Sequence, residues 1–120
     1  MSDIISVVAW KDVATEPAGD GIERQTIHGD RQTLVRYWYA PGAVFPSHAH
    51  PEEQMTVVLS GRITFTIGDK VVTLGPGEVA TIPGGVLHGA TVAGNEPVET
   101  LNTLSPRRVR APRADAEGAP

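Results

Sequence analysis

The chain of 120 residues contains no cysteine. That excludes disulfides, thiol nucleophiles and zinc–thiolate sites, and leaves only nitrogen and oxygen ligands for any metal. No apolar run approaches the ~18 residues needed to span a bilayer. No basic stretch followed by an apolar core opens the sequence, so a secretory signal is not expected and a cytoplasmic location is. A basic excess is also missing: the net charge is −4. The acids concentrate in residues 1–105, whereas four arginines (Arg107, Arg108, Arg110, Arg113) crowd the end of the chain. An acidic body argues against nucleic acid as the main partner. Long helices are disfavoured by 13 glycines and 10 prolines.

What is present is a core-forming composition, 40% hydrophobic and 20% charged, of a size for one domain. Apolar residues recur with period two in short runs, which predicts strands over 4–8, 22–28, 33–39, 55–59, 62–67, 70–74, 79–82, 87–93 and 98–104. Turn signals separate them, and Gly68-Asp69 between two alternating runs predicts a tight hairpin. Short strands at roughly ten-residue spacing predict an all-β sandwich or small barrel. Residues 11–21 read as a loop. The domain is expected over 1–105, followed by a basic, disordered tail over 106–120.

Four side chains suggest chemistry. In His48-Ala49-His50 the imidazoles stand two residues apart, so on an extended segment both rings share a face. Gln54 keeps the same parity, while its neighbour Glu53 points away. His88 follows the turn Pro83-Gly84-Gly85. Neutral imidazoles suit Zn, Cu, Fe and Ni. On its own a His-x-His pair reads equally as two exposed residues in a loop. His28 stands apart from these groups and reads as a surface residue. Parity also places Tyr37 and Tyr39 on one face of a strand and Arg36 and Trp38 on the other. One set faces inward, where Tyr37 would serve as a donor or acid/base, or Arg36 as a carboxylate clamp. Thr56 and Val58 share the parity of Gln54 and should line the cavity, with Met55, Val57 and Leu59 outside. Trp10 and the run from Ile4 to Val8 are candidates for a homodimer contact.

The spacing of the glycines and prolines around these residues gives a resemblance. Gly42, five residues, His48-Ala49-His50, three residues, Gln54, six residues and Gly61 form one block; Gly77, five residues, Pro83-x-Gly85, two residues and His88 form another. This resembles the two-block signature of the cupin family, with Gln54 where glutamate is usual and Val92 at a position where asparagine is often seen. The resemblance implies a double-stranded β-helix, or jelly-roll barrel. His48, His50, Gln54 and His88 would then hold a divalent metal ion (Zn, Mn, Ni, Fe or Co) in its mouth, facing a small-molecule substrate. The stretch His48-Ala49-His50-Pro51-Glu52-Glu53-Gln54 is similar to small cupins of the KdgF type, which open the ring of unsaturated uronates. The resemblance places Asn102, Leu104 and Arg108 where that group has Asp, Phe and Arg near the metal. The ligand set also resembles cupin-type hydroxynitrile lyases and cupins that cyclise polyketides.

Gln54 leaves the ligand set uncharged. One charge at ~4 Å and an effective dielectric of ~20 is worth about 4 kcal/mol. A neutral shell leaves the full charge on the ion, which favours Lewis acidity and disfavours a 3+ state. The expected activity is therefore an isomerase, lyase or cyclase without redox change. A cupin dioxygenase and a non-catalytic sugar- or small-molecule-binding module are the alternatives. The expected partners are a small molecule and a second copy of the chain, with neither nucleic acid nor membrane.

Overall fold

The computed structural model describes residues 5–108. These residues hold a single 3-10 turn, Trp10–Asp12, and ten strands. The strands are β1 (Glu16–Gly19), β2 (Ile22–His28), β3 (Thr33–Tyr39), β4 (Val44–His48), β5 (Glu53–Ser60), β6 (Ile63–Ile67), β7 (Lys70–Leu74), β8 (Val79–Ile82), β9 (His88–Val92) and β10 (Val98–Ser105). Every pairing is antiparallel. A six-stranded sheet runs β1-β2-β3-β10-β5-β8, and a four-stranded sheet runs β4-β9-β6-β7. The architecture is the all-β jelly roll.

Alternation explains the packing. In β3, Thr33, Val35, Tyr37 and Tyr39 are buried, while Leu34, Arg36 and Trp38 are half-buried on the opposite face. In β5 the same rule buries Thr56 and Val58 and exposes Met55 and Leu59. From the second sheet, Phe45, Ile63, Phe65 and Ala90 meet this inner face. Each fully buried aliphatic side chain contributes about 1.5–3 kcal/mol. Gly68-Asp69 forms the two-residue hairpin between β6 and β7, with Gly68 at φ 60°. Gly61, at φ 77°, passes so close to the Pro97 carbonyl and Val98 that a Cβ would collide with them.

Four local readings are corrected. Residues 5–9 form no strand, although Ile5-Ser6-Val7-Val8 alternates well; Ile5 and Val7 are 89% and 92% exposed, because no described sheet edge receives them. The expected loop 11–21 contains the edge strand β1, paired with β2. An unforeseen strand, β4, carries Pro46 in its middle. It is tolerated because β4 is an edge strand whose register with β9 shifts between Phe45 and His48. The described chain also extends past residue 105: Arg108 is buried, not part of a loose tail. Residues 109–120, the rest of the expected tail, lie outside the described residues, as does Ile4.

Candidate metal centre

The ends of three elements deliver the imidazoles. His48 closes β4, His88 opens β9, and the two are register partners. His50 lies in the turn before β5, which carries Gln54. Two contacts bind that turn to the loop before β9. The Gly85 N–H donates to the His50 carbonyl at 2.8 Å. Gly84 lies so close to the Pro51 carbonyl that a side chain there would collide. One ligand atom from each of His48, His50 and His88 falls within 4.8 Å of the others. The ring centroids are 4.5 Å apart for His48–His88, 4.8 Å for His50–His88 and 5.5 Å for His48–His50.

Each ring is fixed from behind. His48 Nδ1 lies 3.0 Å from the Pro46 carbonyl oxygen, His50 Nδ1 3.1 Å from that of Glu52, and His88 Nδ1 2.8 Å from that of Val86. A carbonyl oxygen only accepts, so each Nδ1 must carry the proton. In a neutral ring Nε2 is then a lone pair. Neutrality is favoured at all three. Burial lowers the His48 pKa to about 4, with His88, His50 and Arg108 adding to the effect against the opposing Pro46 hydrogen bond. Burial, then Arg108 and His88, lower that of His50. Burial and Arg108 lower that of His88, against its bond to Val86.

Gln54 is fixed in the same manner. Its Nε2 donates to Thr56 Oγ1 at 2.9 Å and approaches Asn102 Oδ1 at 3.4 Å, so Oε1 turns towards His50 Nε2, 3.1 Å away. Two acceptors therefore face each other. His88 Nε2 is buried with no hydrogen-bond partner. A ring nitrogen without a partner and opposed lone pairs are costly unless a cation sits among them. The residues fit a divalent ion: three imidazoles and an amide oxygen suit Zn, Mn, Ni, Fe or Co.

His48, Gln54 and His88 border a cavity of about 30 Å³, lined chiefly by Tyr37, Tyr39, Phe45, Phe65, Leu104 and Arg108, and reached by Asn102. Burial, reinforced by Tyr37, raises the Tyr39 pKa and keeps its hydroxyl protonated. Arg24, paired across the strands with Tyr37, hydrogen-bonds it and bonds Glu16 at 2.7 Å. Arg108 reaches Glu52 Oε1 with Nε at 3.3 Å and with a terminal nitrogen at 3.1 Å. Glu52 Oε1 also lies 3.4 Å from His50 Nδ1.

The structure thus gathers His48, His50, Gln54, His88, Tyr37, Asn102 and Arg108 at one place. Arg36 is elsewhere and is corrected as a pocket residue. It bonds Glu99 at 2.8 Å and stacks on Trp38 and Trp10 outside the sheet, because the parity of β3 gives the interior to the tyrosines. His28 is exposed and its ring meets the Thr33 hydroxyl. Sequence reasoning missed Glu52 and Arg24. The parity that joined His50 to Gln54 also includes Glu52.

A barrel of two antiparallel sheets with histidines gathered at its mouth defines the class. The cupin domain of the Cupin_2 type matches residues 35–104, and the chain belongs to that family. Germin-like protein 1 of Brassica napus is 35% identical over 99 residues, covering 78% of this chain; the chain spans only 44% of that protein's length. KdgF from a Halomonas species superposes with a TM-score of 0.80 at 25% identity, covering 88% of this chain and 97% of that one. An RmlC-like cupin from Shewanella frigidimarina also reaches 0.80, at 24% identity, over 91% of this chain and 97% of its own.

Proposed function

We propose that this protein is an enzyme that uses a divalent metal ion as a Lewis acid on a small oxygenated substrate, catalysing isomerisation, lysis or cyclisation without redox change. One observation carries the reading: a buried, unpartnered His88 Nε2 beside opposed acceptors from His50 and Gln54, all uncharged. The ion, when bound, supplies electrophilic polarisation of a substrate oxygen with its charge undiminished by the ligands. His48, His50, Gln54 and His88 would hold it. The Arg108 guanidinium, at the cavity wall, offers hydrogen bonds to a substrate carboxylate or oxyanion. Tyr37 offers a hydroxyl for proton transfer. Asn102 carries no acid or base, and both ends of its amide are engaged within the protein. Phe45, Phe65 and Leu104 give the cavity an apolar side.

The likeness to KdgF and the KdgF-type ligand block support uronate ring opening as one concrete candidate; polyketide cyclisation and cyanohydrin lysis are the others. The test is elemental analysis of the purified protein followed by turnover assays on unsaturated uronates, cyanohydrins and linear polyketides, with and without chelator. Chelator-sensitive turnover without oxygen uptake is the expected result. Oxygen consumption coupled to product, or metal-free turnover, would overturn it.

A homodimer stands as a second proposal, on a different surface from the contact through Trp10 and residues 4–8 expected from sequence. Met55, Leu59 and Val79 are 45%, 47% and 54% exposed on the outer face of the six-stranded sheet. A two-fold contact between copies would cover this patch. Light scattering tests it, with Leu59→Glu expected to give monomers if the patch is the contact.

A further inference from the structure

Thr56 and Asn102 are buried beside Gln54, and every hydrogen bond among them has a direction that can be worked out. The starting point is the Val35 carbonyl, which can only accept. Asn102 Nδ2 lies 3.1 Å from it and 3.0 Å from Thr100 Oγ1, so the amide nitrogen of Asn102 faces these two acceptors. Asn102 Oδ1 must then face the other way, where it receives the Thr56 hydroxyl proton over 2.6 Å. With its proton given away, Thr56 Oγ1 has only lone pairs for Gln54, and it takes the Gln54 Nε2 donor at 2.9 Å. The amide nitrogen of Gln54 is drawn back into the barrel wall. Its oxygen is left pointing at the imidazoles.

We infer that Thr56 and Asn102 are positioning residues that fix the Gln54 amide oxygen-first towards the metal. The backbone of β3 dictates this orientation through a one-way relay. The inference rests on the reading of Gln54 as a metal ligand. An amide needs such a device and a carboxylate does not: an amide turned over presents N–H hydrogens, which repel a cation, whereas both ends of a carboxylate are oxygen. Partners behind a metal ligand typically carry 10–100-fold of the metal affinity. The relay accounts for how an uncharged side chain serves at a position where glutamate is usual in the sequence signature.

The test measures Co(II) affinity and the visible Co(II) spectrum for the parent, Gln54→Ala, Thr56→Val and Thr56→Ser, and for Gln54→Glu with and without Thr56→Val. Thr56→Val is expected to weaken Co(II) binding about 10–100-fold and to change the spectrum, and Thr56→Ser to restore both. In the Gln54→Glu background the same substitution is expected to cost no more than about twofold. Parent-like binding by Thr56→Val, or an equal loss in both backgrounds, would overturn the relay. Parent-like binding by Gln54→Ala would instead overturn the ligand reading on which it rests. If Thr56→Val does not fold, the parent decides by NMR: the Gln54 side-chain NH2 should stay protected from exchange before and after Zn(II) is added. Loss of that protection on Zn(II) addition would show that the amide turns, against the proposal.

Discussion

His50 Nε2 and Gln54 Oε1 stand 3.1 Å apart with no proton between them when His50 is neutral. The His50 proton is on Nδ1, donated to Glu52, and the Gln54 hydrogens point to Thr56 and Asn102. A cation converts this repulsion into shared attraction. Binding to the folded state alone stabilises it by about 4 kcal/mol at a thousandfold excess over Kd. Adding Zn(II), Mn(II) or Co(II) to chelator-treated protein is therefore expected to raise Tm by several degrees, read by differential scanning fluorimetry or calorimetry. An unchanged Tm at saturating metal would contradict the site.

His50→Ala and His88→Ala each remove a neutral nitrogen donor from the cluster. Both variants should lose bound metal while keeping the far-ultraviolet circular dichroism of a β barrel. Metal stoichiometry by mass spectrometry checks this; a variant retaining the parent's stoichiometry would show that the substituted ring is not a ligand.

Gln54→Glu adds one negative charge to the ligand set, an effect of about 4 kcal/mol per unit of charge on the ion at ~4 Å and an effective dielectric of ~20. Tighter binding of the ion and lower Lewis acidity should follow. Competition titrations should show a lower Kd, and turnover on the identified substrate should fall.

Acid should destabilise the metal-free protein in a defined window. The histidine pKa values are lowered in the folded state, His48 to about 4, so the unfolded chain protonates first, near 6.5. Stability from this source is complete above pH 6.5 and declines as the pH falls from 6.5 towards 4. His48→Gln should flatten that decline in urea unfolding curves collected across the window. A parent and variant with the same pH dependence would exclude His48 as a source.

Glu52→Ala leaves the Arg108 guanidinium buried without its carboxylate. Breaking such a pair costs about 3–5 kcal/mol. The loss should appear as a lower urea midpoint with an unchanged m-value. A shift below about 0.5 kcal/mol, ordinary for a surface change, would mean that Arg108 is rehydrated in solution.

The sequence displayed most of the fold because a half-buried strand must alternate. β3 shows the rule in its plainest form, with Val35, Tyr37 and Tyr39 inside and Leu34, Arg36 and Trp38 outside. It was silent on β4, where Pro46 breaks the pattern and a register shift accommodates it. It overstated residues 5–8, since alternation signals a surface willing to pair and not the presence of a neighbour. At the site, parity brought His48, His50, Gln54 and Thr56 to one face, and the glycine frame attached His88. Parity could not choose between Arg36 and Tyr37, because that choice depends on which side the second sheet covers. The Glu52–Arg108 pair lay beyond local reasoning, being a contact across 56 positions.

The burial of Arg108 bears on how the protein is handled. Judged by composition, everything after residue 105 looks dispensable, and a shortened version would be a routine choice for crystallisation. Its backbone N–H is anchored on the Thr33 hydroxyl and its head group closes one side of the cavity. Cutting there would take away a wall of the chamber and strand an acid beside His50, so a clipped protein and an intact one would be different reagents.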